Sequence, residues 1–393
     1  MSRRTGRSAP RRRRPKGRSL VGETHLVDVG PVAHGGHFVA RLPDEAADAA
    51  GTVVFVRHSL PGEQVTVQIT EGAVGDRFLR GDAVAVHRAS PDRVQPPCPF
   101  AGPGLCGGCD LQHVALPAQR ALKAAVVAEQ LRRLAGLDVA VEVEPVPGDD
   151  EGLRWRTRMR YHRTEDGRLG LRAHRSDRVV PVTDCRIEAP GARVSVEGEG
   201  GSDAVVTEQV RDRAFEVSAD GFWQVHRGAT DVLVDAVLAG AEVRPGDRVL
   251  DLYAGVGLFS AFLAERAGET GRVVAVEGDR TAAGHADSNL AAYRWTQVRA
   301  GAVDRHLRDL AEEGEWDVVV LDPPREGARR AVVEAVVAAG PRTVVYVACD
   351  PAALARDVSW FAEAGYALES LRAFDLFPMT HHDECVGVLH RLT

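Results

Sequence analysis

One cysteine stands where a thiol can do chemistry. Cys349, in YVACDP at residues 346–351, follows an apolar run and precedes a helix start. TVVYVA reads as a buried strand, Asp350 suits an N-cap and Pro351 the first helical position, and ALARDVSWFAEAG continues at helical period. Backbone amides and the helix dipole at that end are expected to lower the thiol's pKa and favour the nucleophilic thiolate. A buried structural cysteine is the plainer fate of such a residue, so other motifs have to decide.

The next constellation is built on glycine. In DLYAGVGLFS, Gly255 and Gly257 allow a tight turn and a close approach of backbone to a ligand at a helix N-terminus. Ser260 stands where a dinucleotide fold wants a third glycine, which disfavours pyrophosphate. Glu277 closes the following strand 22 residues after Gly255, the spacing at which an acid holds the ribose hydroxyls of an adenosine cofactor. Asp322, in LDPPREG, ends a later strand at the edge where open α/β sheets contact ligands. Arg325 sits where amino-methyltransferases place an aromatic, which argues against base stacking there.

Four further cysteines form a set: Cys98, Cys106 and Cys109 in CPFAGPGLCGGCD, and Cys185 in VTDCRI. Four thiolates suit either a [4Fe-4S] cluster or a tetrahedral zinc, and ligand chemistry alone leaves both open. In RWRTRMRYHR, Arg154, Arg156, Arg158 and Arg160 alternate with Trp155, Thr157, Met159 and Tyr161. At strand period the four arginines share one face, a row that fits a phosphate backbone. A solvated edge strand in an arginine-rich chain is the alternative.

The elements that must position these residues follow from hydrophobic period. Residues 19–90 carry short β-branched runs broken by HGG, LPGE and EGAVGD, the pattern of a small OB-like β-barrel. Prolines at 91, 96, 97 and 99 mark a boundary to a small mixed central domain, 91–220, in which 114–135 reads as one amphipathic helix able to pack on the domain that follows. An acidic, Gly-rich loop is expected near 197–203. From residue 221 to 393, strands alternate with helices, which predicts a doubly wound, Rossmann-like α/β domain. The last strand, CVGVLHRL, is predicted to close an antiparallel hairpin at the sheet edge.

Composition bounds the class. With 393 residues, 44% hydrophobic and 27% charged, the chain has room for two or three domains. No apolar run approaches the ~20 residues of a membrane span and no secretory apolar segment leads the chain. The expectation is a cytoplasmic protein without a membrane partner, its cysteines serving metal or catalysis rather than disulfides. Residues 1–18 carry nine Arg or Lys and no acid, leaving −16 for the rest of a chain of formal net charge −7 (−7 − 9), and predict a disordered basic arm suited to nucleic acid.

These motifs name a resemblance. GFWQVH (221–226), DLYAGVG (251–257), VEGD (276–279), LDPPREG (321–327), YVACDP and FPMTHHDE (377–384) resemble, in order, the RNA uracil-5 methyltransferases, and the β-rich segment resembles the TRAM domain often fused to them. The resemblance implies a class I methyltransferase domain using S-adenosylmethionine, with Cys349 as nucleophile and Glu384 as base. It implies cofactor contacts from Gln224, Tyr253, Glu277 and Asp322, joined by Gly255 and Gly257. It favours a [4Fe-4S] cluster over zinc at Cys98, Cys106, Cys109 and Cys185, and ribosomal RNA over transfer RNA as the partner. Two other classes are kept in view: a same-fold RNA methyltransferase acting on an amino nitrogen, and a non-enzymatic RNA-binding assembly factor.

Overall fold

The structure is a computed structural model that describes residues 17–199 and 204–392. Nearly all of the predicted basic arm, and the predicted acidic loop beyond residue 199, lie outside the described residues. The chain divides into two units, Met1–Arg93 and Val94–Thr393.

In the first unit six strands form one sheet: β1 (Thr24–Asp28), β2 (Val32–Ala33), β3 (His37–Arg41), β4 (Val53–Arg57), β5 (Gln64–Glu71) and β6 (Phe78–Arg88), in the order β1-β5-β6-β4-β3-β2. All neighbours run antiparallel except β4 and β6. Alternation sets the core: Val65, Val67 and Ile69 of β5 are buried while Gln64, Thr66 and Gln68 face outward. Buried Glu63 accepts from Arg93 at 2.6 Å and closes the unit's end.

The second unit opens with helix α1 (Leu116–Gln130), extended by a π-type turn over Leu131–Ala135 and stopped by Gly136 at φ +68°. Strand β7 (Val143–Pro145) follows, then β8 (Arg156–Arg163), β9 (Leu169–Arg172), β10 (Val179–Pro181) and β11 (Glu188–Val196), which pair as β10-β9-β8-β11. Strands β12 (Val205–Val210) and β13 (Arg213–Ser218) form a hairpin ahead of α2 (Ala229–Ala241).

The alternating region is β14 (Arg248–Leu252), α3 (Leu258–Ala267), β15 (Arg272–Glu277), α4 (Arg280–Leu290), β16 (Thr296–Ala300), α5 (Val303–Glu312), β17 (Val318–Leu321), α6 (Arg330–Ala338), β18 (Thr343–Ala348), α7 (Pro351–Glu363), β19 (Tyr366–Asp375) and β20 (Glu384–Arg391). One sheet of eight strands results, in the order β16-β15-β14-β17-β18-β20-β19-β7. Both faces are covered, so the central strands are mostly apolar on both sides: Val249, Val320 and Val347 enter one core, and Leu250, Leu321 and Tyr346 the other, with Asp251 the buried exception.

Two expectations need correction, and two elements go beyond them. Strand β20 does not lie at the sheet edge: it is inserted between β18 and β19, antiparallel to both. The edge is β7, a strand from the segment predicted as a separate central domain, which pairs with β19 and joins α1 against the large sheet. Residues 94–393 accordingly form one compact unit. Strand β16 and helix α5 were not foreseen, because TQVRA mixes polar and apolar residues as an outermost strand can.

Candidate active site

Every parallel strand of the large sheet ends at the same edge, and the predicted site residues sit there. Leu252 pairs with Val276 and with Leu321, so Tyr253, Glu277 and Asp322 emerge side by side. Ala348 pairs with Cys385 in the antiparallel register of β18 and β20. The residue after one and the residue before the other are Cys349 and Glu384, which the register brings to one end. A cleft of about 1800 Å³ is lined by Gln224, Tyr253, Gly255, Glu277, Asp322, Cys349 and Glu384 together. Gly257, the remaining predicted residue, begins α3 behind the loop, at φ +85° with Ala286 and Leu290 3.4 Å from where a Cβ would stand.

The glycine turn presents a shaped acceptor. Gly255 has φ +56°, and its N–H donates to Glu277 Oε2 at 2.8 Å while Asp279 N–H donates to Oε1 at 2.7 Å. Each oxygen keeps a lone pair for a ligand hydroxyl. Tyr253 also adopts a positive φ, +63°, unusual for an aromatic and found where surroundings fix a functional turn. Behind it, fully buried Asp251 accepts from Ser260 Oγ, the residue that replaces the third glycine.

The cleft is rich in desolvated acid. Burial first, then neighbouring carboxyls, put Asp251 and Asp322 at about 7: Glu277 adds to the rise of Asp251, and Asp251 and Glu277 to that of Asp322. Burial, then Asp322 and Asp383, drives Glu384 well above the usual carboxylate range. Cys349 departs from expectation: burial raises its thiol to about 12, and Glu384 and Asp322 add to the rise while Arg325 opposes it. Burial and the two carboxyls outweigh any lowering by the helix terminus. Asp350 caps α7 by accepting from Ala353 N–H at 2.8 Å.

Two further residues shape the cleft, Arg325 and His382. Arg325 Nη2 donates to His382 Nε2 at 3.4 Å, and burial lowers the His382 pKa to about 3, leaving a neutral imidazole in the cleft. The His381 ring lies 4.0 Å from it, tilted by 43°, and is held at 2.6 Å by Asp110. The loop carrying Arg325 is fixed from behind, where Asp357 accepts from Ala328 N–H (2.7 Å) and Tyr346 OH (2.6 Å).

The arginine row has a different occupation from the one its period suggests. Trp155, Met159 and Tyr161 are buried opposite, as alternation requires. But Arg154 reaches Cys185 O, Glu188 O and Asp184, Arg158 donates to Gly221 O, and Arg156 turns into a cavity of cysteines; Arg160 alone of the four is exposed. The strand also clamps GFWQVH, since Thr157 N–H and Oγ1 both donate to Val225 O, at 2.8 and 3.0 Å. That clamp places Gln224 in the cleft and leaves Phe222 75% exposed at its rim.

Cys98, Cys106, Cys109 and Cys185, all free thiols, line a second cavity of about 300 Å³. Burial pushes Cys109 far up and Cys185 to about 11, so bare thiolates are disfavoured there. Arg156, whose own pKa burial lowers, faces the same cavity as a half-buried cation suited to an anionic centre. Among the described residues no three His, Cys, Asp or Glu side chains gather tightly enough for a single metal ion. Nor, among them, is any helix long and apolar enough to cross a membrane.

Comparison with known proteins agrees with this architecture. Residues 18–84 match the TRAM domain and residues 201–392 match the family described as tRNA (Uracil-5-)-methyltransferase. A Streptomyces avermitilis protein named as an uncharacterized RNA methyltransferase is 44% identical over 433 residues, covering 94% of this chain and 98% of its own. One of the same description from Bifidobacterium longum is 40% identical, covering 87% and 92%. The crystal structure of Pyrococcus abyssi tRNA (uracil-54, C5)-methyltransferase in complex with S-adenosyl-L-homocysteine superposes with a TM-score of 0.68 at 21% identity, over 93% of this chain and 99% of that one. At that identity the likeness speaks for the fold.

Proposed function

Because this chain belongs to the RNA uracil-5 methyltransferase family, whose members use S-adenosylmethionine, we propose that it methylates carbon 5 of a uridine in structured RNA through a transient Cys349–uracil bond. The observation that carries the reading is the register of β18 and β20, which sets a thiol and a buried carboxyl at one end of the cleft. Carbon 5 of uracil is a weak nucleophile. Addition of the Cys349 thiolate at carbon 6 moves the ring's double-bond electrons toward carbon 5 and oxygen 4. S-adenosylmethionine supplies the methyl group that carbon 5 then captures. Glu384 takes the carbon 5 proton, the ring double bond re-forms, and the Sγ–carbon 6 bond breaks to return the thiolate. Because burial, Asp322 and Asp383 raise its pKa, Glu384 must be ionised before it can act, and a cationic ligand in the cleft favours that form.

Glu277, on the glycine turn, fits ribose hydroxyls, while Asp322, Tyr253 and Gln224 face the rest of the cofactor pocket. A cationic ligand stabilises ionised carboxylates, so binding below about pH 7 must expel protons from Asp322 and its neighbours. Affinity for S-adenosylmethionine is therefore expected to be about tenfold weaker at pH 6 than at pH 8. Calorimetry in buffers of different ionisation enthalpy should register the released proton; a flat profile contradicts the assignment.

For the cysteine cavity we favour a [4Fe-4S] cluster held by Cys98, Cys106, Cys109 and Cys185. Four cysteines that line one cavity of about 300 Å³ beside Arg156 support this reading, and the cysteine-bearing branch of the family favours a cluster over zinc. Anaerobically purified protein is expected to contain about four irons per chain with a broad visible absorption band. One zinc and no iron would reverse the choice.

Ribosomal RNA is the substrate we favour over transfer RNA, by analogy with the cysteine-bearing branch of the family. A strain lacking the protein is expected to lose 5-methyluridine at a ribosomal RNA position and regain it with the wild-type gene but not with Cys349→Ser. Loss confined to transfer RNA would move the substrate, and no loss in either RNA would remove the proposal.

A further inference from the structure

The loop between β19 and β20 carries Phe377 and His382 into the cleft and leads directly to Glu384. It turns at Met379, whose φ is +66°, a left-handed conformation that a long side chain keeps only where its surroundings enforce it. The enforcement is specific. Met379 N–H donates to Gln119 Oε1 at 2.8 Å, and Met379 O accepts from the N–H groups of Asp110 and Leu111, each at 3.0 Å. Gln119 Nε2 lies 2.9 Å from Val114 O and 3.2 Å from both Leu111 O and Met379 Sδ. One helical turn along α1, Lys123 Nζ meets Asp375 Oδ1 at 2.6 Å and Phe377 O at 3.1 Å.

These are costly choices for an interior. Gln119 is 0% exposed, and the side chains of Lys123 and Asp375 are 1% and 2% exposed. An amide and an ammonium placed there must be matched by partners, and apolar residues of similar volume would stabilise the core at least as well. Every partner they have serves this loop or the segment from Asp110 to Val114 beneath it. Neither residue lines the cleft.

We propose that Gln119, supported by Lys123, is a positioning residue for the proton-abstraction step: by holding Met379 left-handed it makes the chain re-enter β20 with the Glu384 carboxyl in the cleft. The inference rests on the reading of Glu384 as base. Without the clamp Met379 relaxes toward ordinary φ and the carboxyl shifts away from carbon 5. Thiol addition and methyl capture proceed, but the carbon 5 proton stays in place and the Sγ–carbon 6 bond does not break.

The test is Gln119→Met in the full-length protein, assayed with S-adenosylmethionine and unmodified ribosomal RNA transcript beside Glu384→Gln. Expected for Gln119→Met are a cofactor Kd within about twofold of wild type, a kcat lowered about tenfold or more with little change in KM for RNA, and a protein–RNA band surviving denaturing electrophoresis. Adding Met379→Gly should restore most of the kcat, since glycine adopts this φ without steric cost. A Gln119→Met protein that melts earlier yet turns over at the wild-type rate, or that loses cofactor binding and activity together without an adduct, overturns the proposal. If Glu384→Gln traps RNA and Gln119→Met does not, the positioning role alone falls; if Glu384→Gln traps nothing, the base assignment falls first. Should Gln119→Met fail to fold, Met379→Val carries the same test, because a β-branched residue resists the left-handed turn while the clamp residues stay in place.

Discussion

Cys349→Ala is expected to lower methyl transfer by roughly 10⁴-fold or more while leaving the Kd for S-adenosylmethionine within about twofold of wild type. Both halves follow from geometry. The thiol lies at the β18 end of the cleft, whereas Glu277 and the Gly255 turn that supports it belong to the β15 and β14 ends, so a methyl side chain at 349 removes no ligand contact there. Without the thiol nothing adds to carbon 6, and carbon 5 does not become nucleophilic. With its pKa near 12, the Cys349 thiol is protonated at neutral pH in the free protein. Two groups that raise it, Glu384 and Asp322, are carboxyls, and a cationic ligand in the cleft offsets that repulsion. Alkylation of Cys349 is therefore expected to be slow in the free protein, and its rate should rise with pH toward 12. Rapid modification at pH 7, read by mass spectrometry of the labelled peptide, contradicts this ordering, and full turnover by Cys349→Ala removes covalent catalysis altogether.

What could be read from the sequence was local. Strand, cap and helix around Cys349 are determined within a dozen residues, and the structure places β18, Asp350 and α7 where YVACDP predicts them. The glycine turn and Glu277 are equally local, since a strand end and a following turn fix where both point. What escaped depends on partners distant in sequence. Arg156, Arg158 and Arg160 alternate along β8 as predicted, with Arg154 just ahead of the strand, but Arg158 finds its carbonyl acceptor 63 residues away and Arg154 its carboxylate 30 residues away. Period alone cannot distinguish a guanidinium offered to phosphate from one bound to the protein's own backbone. The thiol's pKa differs from expectation for the same reason: the dipole is local, while the burial that raises the thiol most, and the carboxyls of Glu384 and Asp322 that add to it, come from tertiary packing. Nor does amphipathic period reveal that Gln119 and Lys123 lie on the buried side of α1.

Glu384→Gln is expected to stop the reaction one step later than Cys349→Ala and so to give the opposite signature. The glutamine keeps the shape of the side chain but has no affinity for the carbon 5 proton. Cys349 still adds to carbon 6 and carbon 5 still captures the methyl group, after which elimination stalls. The product is a methylated RNA linked to the protein through Sγ, seen as a band that survives denaturing electrophoresis and carries radiolabel from the cofactor's methyl group. Turnover is expected to fall by about 10²–10⁴-fold, the usual range for loss of a general base. Burial decides how clean the trap is: Glu384 is only 4% exposed, so water has poor access to take the proton in its place. The double variant Glu384→Gln/Cys349→Ala must show no band, because the bond requires the thiol. A labelled band in that double variant would place the linkage on another residue, and wild-type turnover by Glu384→Gln would assign proton removal to a different group in the cleft.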